Sequence, residues 1–123
     1  MNIGLTYTST TVVNNNNTAK ALGSGDMDVF ATPAMVALME NAAMNAVAPH
    51  LEEGQTTVGT QISTSHIKAS ALGATITATA VLTAVDGRSL TFTITARDGE
   101  NTIGEGTHTR FIVDRERFLS KLK

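Results

Sequence analysis

Two Asp-Gly pairs, Asp86-Gly87 and Asp98-Gly99, punctuate a stretch in which apolar and polar residues alternate. Asp-Gly between alternating runs is the strongest short-range signal of a β-hairpin, because both residues tolerate the left-handed backbone that a tight turn needs. Three consecutive strands are therefore predicted: Thr75–Val85, Ser89–Asp98 and Thr102–Val113. Ile76, Ala78, Ala80 and Leu82 point one way, as do Leu90, Phe92, Ile94 and Ala96. Threonines (Thr75, Thr77, Thr79, Thr91, Thr93, Thr95) take the opposite face. That pattern describes an antiparallel sheet with one apolar face. Thr56–Ile67 reads as a strand preceding these in the meander, and Leu5–Val13 as a candidate fifth.

The apolar face needs a cover. Residues 31–51, ATPAMVALMENAAMNAVAPHL, read as one helix. Thr32 is expected as its N-cap and Pro33 as its first helical residue. Pro49 marks its end. Val36, Met39, Ala43, Val47 and their neighbours are apolar nearly all round, as in a helix buried on most of its surface. Asn14–Asn17 reads as a loop and Gly23–Asp28 as a glycine-rich, mobile one. No internal repeat divides the 123 residues. The expectation is a single domain, 1–123, of the α+β class: one long central helix wrapped by a curved antiparallel sheet.

Several function classes drop out early. There is no cysteine, which removes disulfide scaffolds, thiol catalysis and thiolate metal sites. A net charge of −2 with only 4% aromatics argues against nucleic-acid binding, which draws on basic patches and stacking platforms. No run approaches the ~20 apolar residues of a membrane span. The opening MNIGLTYTSTT lacks the basic start and apolar stretch of a secretory signal, so a cytoplasmic location is expected. No spacing of His, Asp and Glu suggests a metal site, and no glycine-rich nucleotide fingerprint follows a strand.

What remains is a small set of residues that could carry chemistry. Glu40 is the only charged residue between Asp28 and Glu52 and falls on the stripe of Val36, Ala43 and Val47. A carboxylate there either takes part in proton transfer or reaches water at a seam. His66 is assigned to the face of Val58 and Ile62, where it is either a satisfied core histidine or the partner of Glu40 in an acid–base pair. Thr32 is an ordinary cap or a hydroxyl that holds or replaces a water. Thr32 and Glu40 lie eight residues apart, ~12 Å of helix rise, so they cannot both touch one small atom within a straight helix. Either Thr32 lies before the helix or residues of two subunits meet. Gly59 interrupts a strand of Thr, Val and Ile, as a bulge or a close backbone approach to ligand. His108 and Arg110 share a strand face with Gly104 and Gly106, whose small size leaves room for a partner or ligand. Arg110 suits a carboxylate or a phosphate. Lys68, Arg88, Arg97, Arg115 and Arg117 are further phosphate candidates, and His50 reads as an exposed helix-end residue.

Three strings together carry a resemblance: VFATPAMVALMENAA (29–43), TTVGTQISTSHIKAS (56–70) and GEGTHTRFIV (104–113). The chain resembles the fluoroacetyl-CoA thioesterase-like branch of the hotdog-fold acyl-CoA thioesterases, from about residue 18 to 118. The resemblance implies a hotdog fold and a dimer with two sites at the subunit interface. It implies catalytic roles for Thr32, Glu40 and His66, and substrate contacts for Gly59 and Arg110. It implies coenzyme A as part of the substrate and no separate cofactor. Ala71 stands where relatives often carry proline. Gly23–Asp28 lacks the aromatic residues that serve fluoroacetyl-specialised members as a lid, which points away from fluoroacetyl-CoA.

The expected activity is hydrolysis of a short-chain acyl thioester to free acid and CoA. The partners expected are an acyl-CoA and a second copy of the chain, with further association of dimers left open. A module that binds an acyl ligand without turnover is the alternative, since fold does not fix function. A hydratase or dehydratase acting on acyl thioesters ranks third.

Overall fold

The computed structural model describes all of residues 1–123. Its elements are β1 (Thr6–Val12), α1 (Ala19–Leu22), α2 (Thr32–Val47), β2 (Gln55–Thr64), β3 (Thr75–Asp86), β4 (Ser89–Asp98), β5 (Asn101–Asp114) and α3 (Arg115–Ser120). The five strands form one antiparallel sheet in the order β1-β3-β4-β5-β2.

Both Asp-Gly turns form hairpins, with Gly87 and Gly99 each at φ 60°, the left-handed region where only glycine sits without strain. Ile76, Ala78, Ala80, Leu82, Leu90, Phe92, Ile94 and Ala96 are all buried against α2, as the alternation predicts. Met35, Met39, Ala42, Ala43, Ala46 and Val47 are the helix's contribution to that core. The alanines keep α2 low over the sheet, and the helix lies along the concave side of the curled strands.

Four expectations need correction. The 31–51 helix ends at Val47, and Ala48–His50 forms a separate 3-10 turn, because Pro49 has no N–H to continue the ladder. The N-cap is Ala31, not Thr32. Phe30 and Ala31 are held extended by backbone bonds to Ser70 and Asn17 (both 3.0 Å), which delays the helix by one residue and frees the Thr32 hydroxyl. β2 does not lie beside β3. Residues 65–74 carry the chain across the sheet, leaving β2 as an edge strand on β5. Finally, α2 keeps one side open in the single chain: Ala37, Asn41 and Met44 are exposed.

Two short helices escape the sequence reading. Thr18 caps α1 by accepting from the Ala21 N–H, and Gly23 closes it. The Gly23–Asp28 segment folds back on α1, with Lys20 N–H bonded to Met27 C=O at 3.1 Å. No helix is long and apolar enough to cross a membrane.

Candidate active site

The polar side chains gather in two clusters, one at the N-terminal end of α2 and one midway along it. The first is Thr32 with His66. Thr32 is the first residue of α2 and projects its Oγ1 to 2.7 Å from His66 Nδ1. His66 lies just beyond β2, between two residues whose backbones are tied to β5: Ser65 N–H to Glu105 C=O (3.1 Å) and Ile67 N–H to Ile103 C=O (2.7 Å). Phe30 meets the imidazole edge-on. A Cβ on Gly104 would strike the Ser65 carbonyl oxygen, and one on Gly106 the Ser63 carbonyl oxygen. The expectation that these glycines leave room for a ligand is therefore corrected: β2 backbone fills the space. They let the β2 end lie close over β5, which fixes where His66 sits.

His66 Nε2 is buried with no hydrogen-bond partner. Burial lowers the imidazole pKa below its ordinary 6.5, with the Lys68 backbone opposing the shift. The ring is accordingly neutral near pH 7 and able to accept a proton. A cleft of about 260 Å³ opens here, walled by Val29, Phe30, Thr32, His66, Ile67 and Lys68.

The second cluster surrounds Gly59. The β2–β5 register slips between Gly59 and Gln61, a bulge that answers one of the two readings of that glycine. The bulge also overturns the shared face assigned to Val58 and Ile62. Val58 pairs with the exposed Phe111, whereas Ile62 pairs with the buried His108, so the two point to opposite sides. Opposite Gly59 stands Arg110, 6% exposed. Its Nε donates to Thr57 Oγ1 (2.8 Å), its Nη2 to Thr57 C=O (2.9 Å) and its Nη1 to His108 Nε2 (3.2 Å). Nη1 also lies 3.7 Å from Glu40 Oε2. Burial lowers the Arg110 pKa while the Glu40 carboxylate counteracts it. A Cβ on Gly59 would come within 3.0 Å of Glu40 Oε2 and 3.1 Å of His108 Cε1.

The Glu40 side chain is 40% exposed in the single chain, at the mouth of a second cleft lined by Ala37, Asn41, Met44 and Arg110. It belongs to the Arg110 cluster and makes no contact with His66, so the pairing of Glu40 and His66 anticipated from sequence does not form within one chain. Glu40 lies eight residues along α2 from Thr32, the residue that meets His66, which is ~12 Å of helix rise. Lys68 reaches the Thr32–His66 cleft, whereas Arg88 and Arg117 line a third cleft by α3. His108 and Thr57 were not assigned to the site from sequence. The alternation His108–Arg110 was the available signal.

The fluoroacetyl-CoA-specific thioesterase family model matches residues 13–116. The fluoroacetyl-CoA thioesterase of Streptantibioticus cattleyicolor is 45% identical over 96 residues, covering 78% of this chain and 69% of that protein. The chain belongs to the fluoroacetyl-CoA-specific thioesterase family. A crystal structure of the fluoroacetyl-CoA thioesterase FlK superposes with a TM-score of 0.92 at 39% identity, covering 99% of this chain and 95% of that one. A thioesterase superfamily member from Thermus thermophilus shares the fold at 24% identity, with a TM-score of 0.90 over 98% of this chain and 90% of its own. The hotdog architecture read from sequence is thus correct, and membership of this family makes the chain a thioester hydrolase.

Half-buried His66 and fully buried His108 both have pKa values pushed down chiefly by burial. Above pH 6.5 folded and unfolded chains carry the same neutral rings, and the stabilisation is complete. As pH falls below 6.5 the unfolded chain takes up protons first, and stability declines. Thermal melts are expected to show a lower Tm at pH 5.5 than at pH 7.5, in a range above most carboxylate titration. A Tm that is flat or rises on acidification contradicts this.

Proposed function

We propose that this enzyme hydrolyses a short-chain acyl-CoA to the free acid and CoA, at a site shared between two copies of the chain. The observation that carries the chemistry is the 2.7 Å contact between the Thr32 hydroxyl and a neutral, anchored imidazole. With the ring proton on Nε2, Thr32 donates to Nδ1, and His66 is set to take the proton as the hydroxyl oxygen, or a water held by it, attacks the thioester carbonyl. The C–S bond breaks, and the imidazolium returns its proton to the CoA sulfur. If Thr32 itself attacks, the resulting acyl ester is hydrolysed by water with Glu40 as base. Backbone N–H groups at the start of α2 or at Gly59 are the donors available for the oxyanion.

Two features support the composite site. Thr32 is inside α2, so the alternative that it precedes the helix falls away, and one chain cannot bring Thr32 and Glu40 to the same atom. The edge strand β2, QTTVGTQIST, also carries no charge to discourage pairing. Antiparallel pairing of two β2 strands centred near Ile62 would set Gly59 of one copy across from residues 65–66 of the other. Glu40 of one chain would then approach Thr32 and His66 of its partner. Arg110, with N–H groups still free beside Gly59, suits the thioester region or the arm of CoA.

The acyl group is proposed to be short and not specialised to fluoroacetyl. Val29, Phe30 and Ile67 wall the Thr32 cleft, and no aromatic residue of Gly23–Asp28 is present to close over it. Release of free thiol from a panel running from acetyl-CoA and fluoroacetyl-CoA to long-chain esters tests this. Turnover is expected on short chains and lost in Thr32→Ala. Trapping of an acyl ester on Thr32 would single out the hydroxyl as nucleophile. CoA esters that bind but are never turned over would favour the ligand-binding alternative.

A further inference from the structure

The chemistry above leaves one fully buried titratable group unused. His108 is 1% exposed, and both of its ring nitrogens are engaged. Nδ1 lies 2.7 Å from the Gln61 carbonyl oxygen. A carbonyl only accepts, so Nδ1 carries the proton and donates it. Nε2 is then a bare acceptor, and Arg110 Nη1 donates to it at 3.2 Å. A core histidine present only for packing would need no second polar partner. Here the second nitrogen is spent on the one arginine that faces Glu40.

We infer that His108 is a positioning residue, which through its unprotonated Nε2 holds the Arg110 guanidinium against Glu40 and thereby sets the carboxylate over the Gly59 backbone. This rests on the reading of Glu40 as a catalytic carboxylate. Thr57 anchors the Nε and Nη2 side of the guanidinium and His108 the Nη1 side. Nη1 is also the atom in contact with Glu40, the chain's one ion pair. A guanidinium fixed on both sides is a defined counter-charge, whereas a loose one would let the carboxylate swing toward the adjoining cleft. Gly59 completes the arrangement, because its missing side chain leaves the space that Glu40 Oε2, His108 Cε1 and Arg110 Nη1 converge on. Protonation of His108 would replace the acceptor by a donor facing a donor. Burial and the Arg110 charge both resist it, against the Gln61 carbonyl and Glu40.

Two substitutions separate positioning from packing. In His108→Asn the amide nitrogen takes the place of Nδ1 and keeps the Gln61 bond but offers Arg110 nothing. In His108→Gln the amide oxygen takes the place of Nε2 and keeps the Arg110 bond. For short acyl-CoA hydrolysis, His108→Asn is expected to lower kcat by about ten- to a hundredfold with KM little changed, as for a misplaced reacting group. His108→Gln is expected to recover most of the loss. Equal rates in the two folded variants, or a wild-type kcat in His108→Asn, would overturn the inference. Should His108→Asn fail to fold, Thr57→Val removes the other side-chain anchor of Arg110. It is expected to lower kcat in the same way, and an unchanged kcat there overturns the inference as well. Glu40→Gln runs alongside: full activity in that variant refutes the reading of Glu40 itself, whereas its loss together with an intact His108→Asn refutes only the role of His108.

Discussion

Glu40→Gln and His66→Ala are each expected to lower kcat for thioester hydrolysis by about 10²- to 10⁴-fold, the range lost when a positioned acid or base is removed. The two changes remove different parts of one process. His66→Ala leaves the Thr32 hydroxyl without an acceptor at 2.7 Å, so the attacking oxygen keeps its proton. Glu40→Gln preserves shape but removes the charge beside Arg110. Neither side chain is in the hydrophobic core, and the 40% exposure of Glu40 makes its neutral replacement easy to accommodate. Folded protein is therefore expected for both, with a lower Tm in Glu40→Gln because buried Arg110 loses its counter-charge, and with turnover falling far more than stability. Because the groups act together, the double variant is expected to be hardly slower than either single one. Thiol release under saturating substrate measures all three, and wild-type rates in both single variants would refute the assignment.

Gly106→Ala is expected to cause the largest loss of stability among single methyl additions to the sheet. An added Cβ would overlap the Ser63 carbonyl oxygen and come within 2.8 Å of its carbon and of Thr64 Cα. All three obstacles are backbone, so no flexible side chain can swing aside, and β2 must move off β5. Overpacking of this kind costs about 3 kcal/mol, a large share of the roughly 5–15 kcal/mol that stabilises a whole domain. A drop in Tm of about 10 °C follows for a chain of this size. Activity is expected to fall as well, since Ser65 and Ile67, which flank His66, are pinned to the same strand. An unchanged Tm would mean that the close approach of β2 to β5 is not as described.

The central meander was legible because its information is local. Alternation fixed the faces of β3 and β4, and Asp-Gly fixed the turns between Asp86 and Ser89 and between Asp98 and Asn101. The place of β2 was not legible, because a strand that crosses the sheet carries no mark of which edge it joins. The one-residue error at Thr32 arose from pairing of Phe30 and Ala31 with distant chain, which capping preferences do not contain. Val58 was put on the wrong face because the bulge at Gly59 breaks the period of two. The short helices α1 and α3 lack the length at which helical periodicity becomes readable.

The candidate site followed the same division. Residue type, isolation and position marked Thr32, Glu40, Gly59, His66 and Arg110, each beside an ordinary structural reading, and the resemblance gave them roles in one site. What the sequence does not encode in any local pattern is which point along α2 each residue meets. Glu40 therefore faced Arg110 instead of His66, and His108, already on the face of Arg110, went unassigned because its bonds to Gln61 and Arg110 leave no mark in the sequence.

Mixing two inactive chains tests the shared site most directly. Glu40→Gln and His66→Ala chains are to be co-folded so that subunits exchange, and thiol release from a short acyl-CoA is then compared with each variant alone. If Glu40 of one copy serves Thr32 and His66 of the other, half of the dimers are mixed, and each mixed dimer holds one intact site. Activity is predicted to return to about a quarter of the wild-type value. If instead each chain completed its own site, every site in the mixture would carry one of the two lesions, and activity would stay at the level of the single variants.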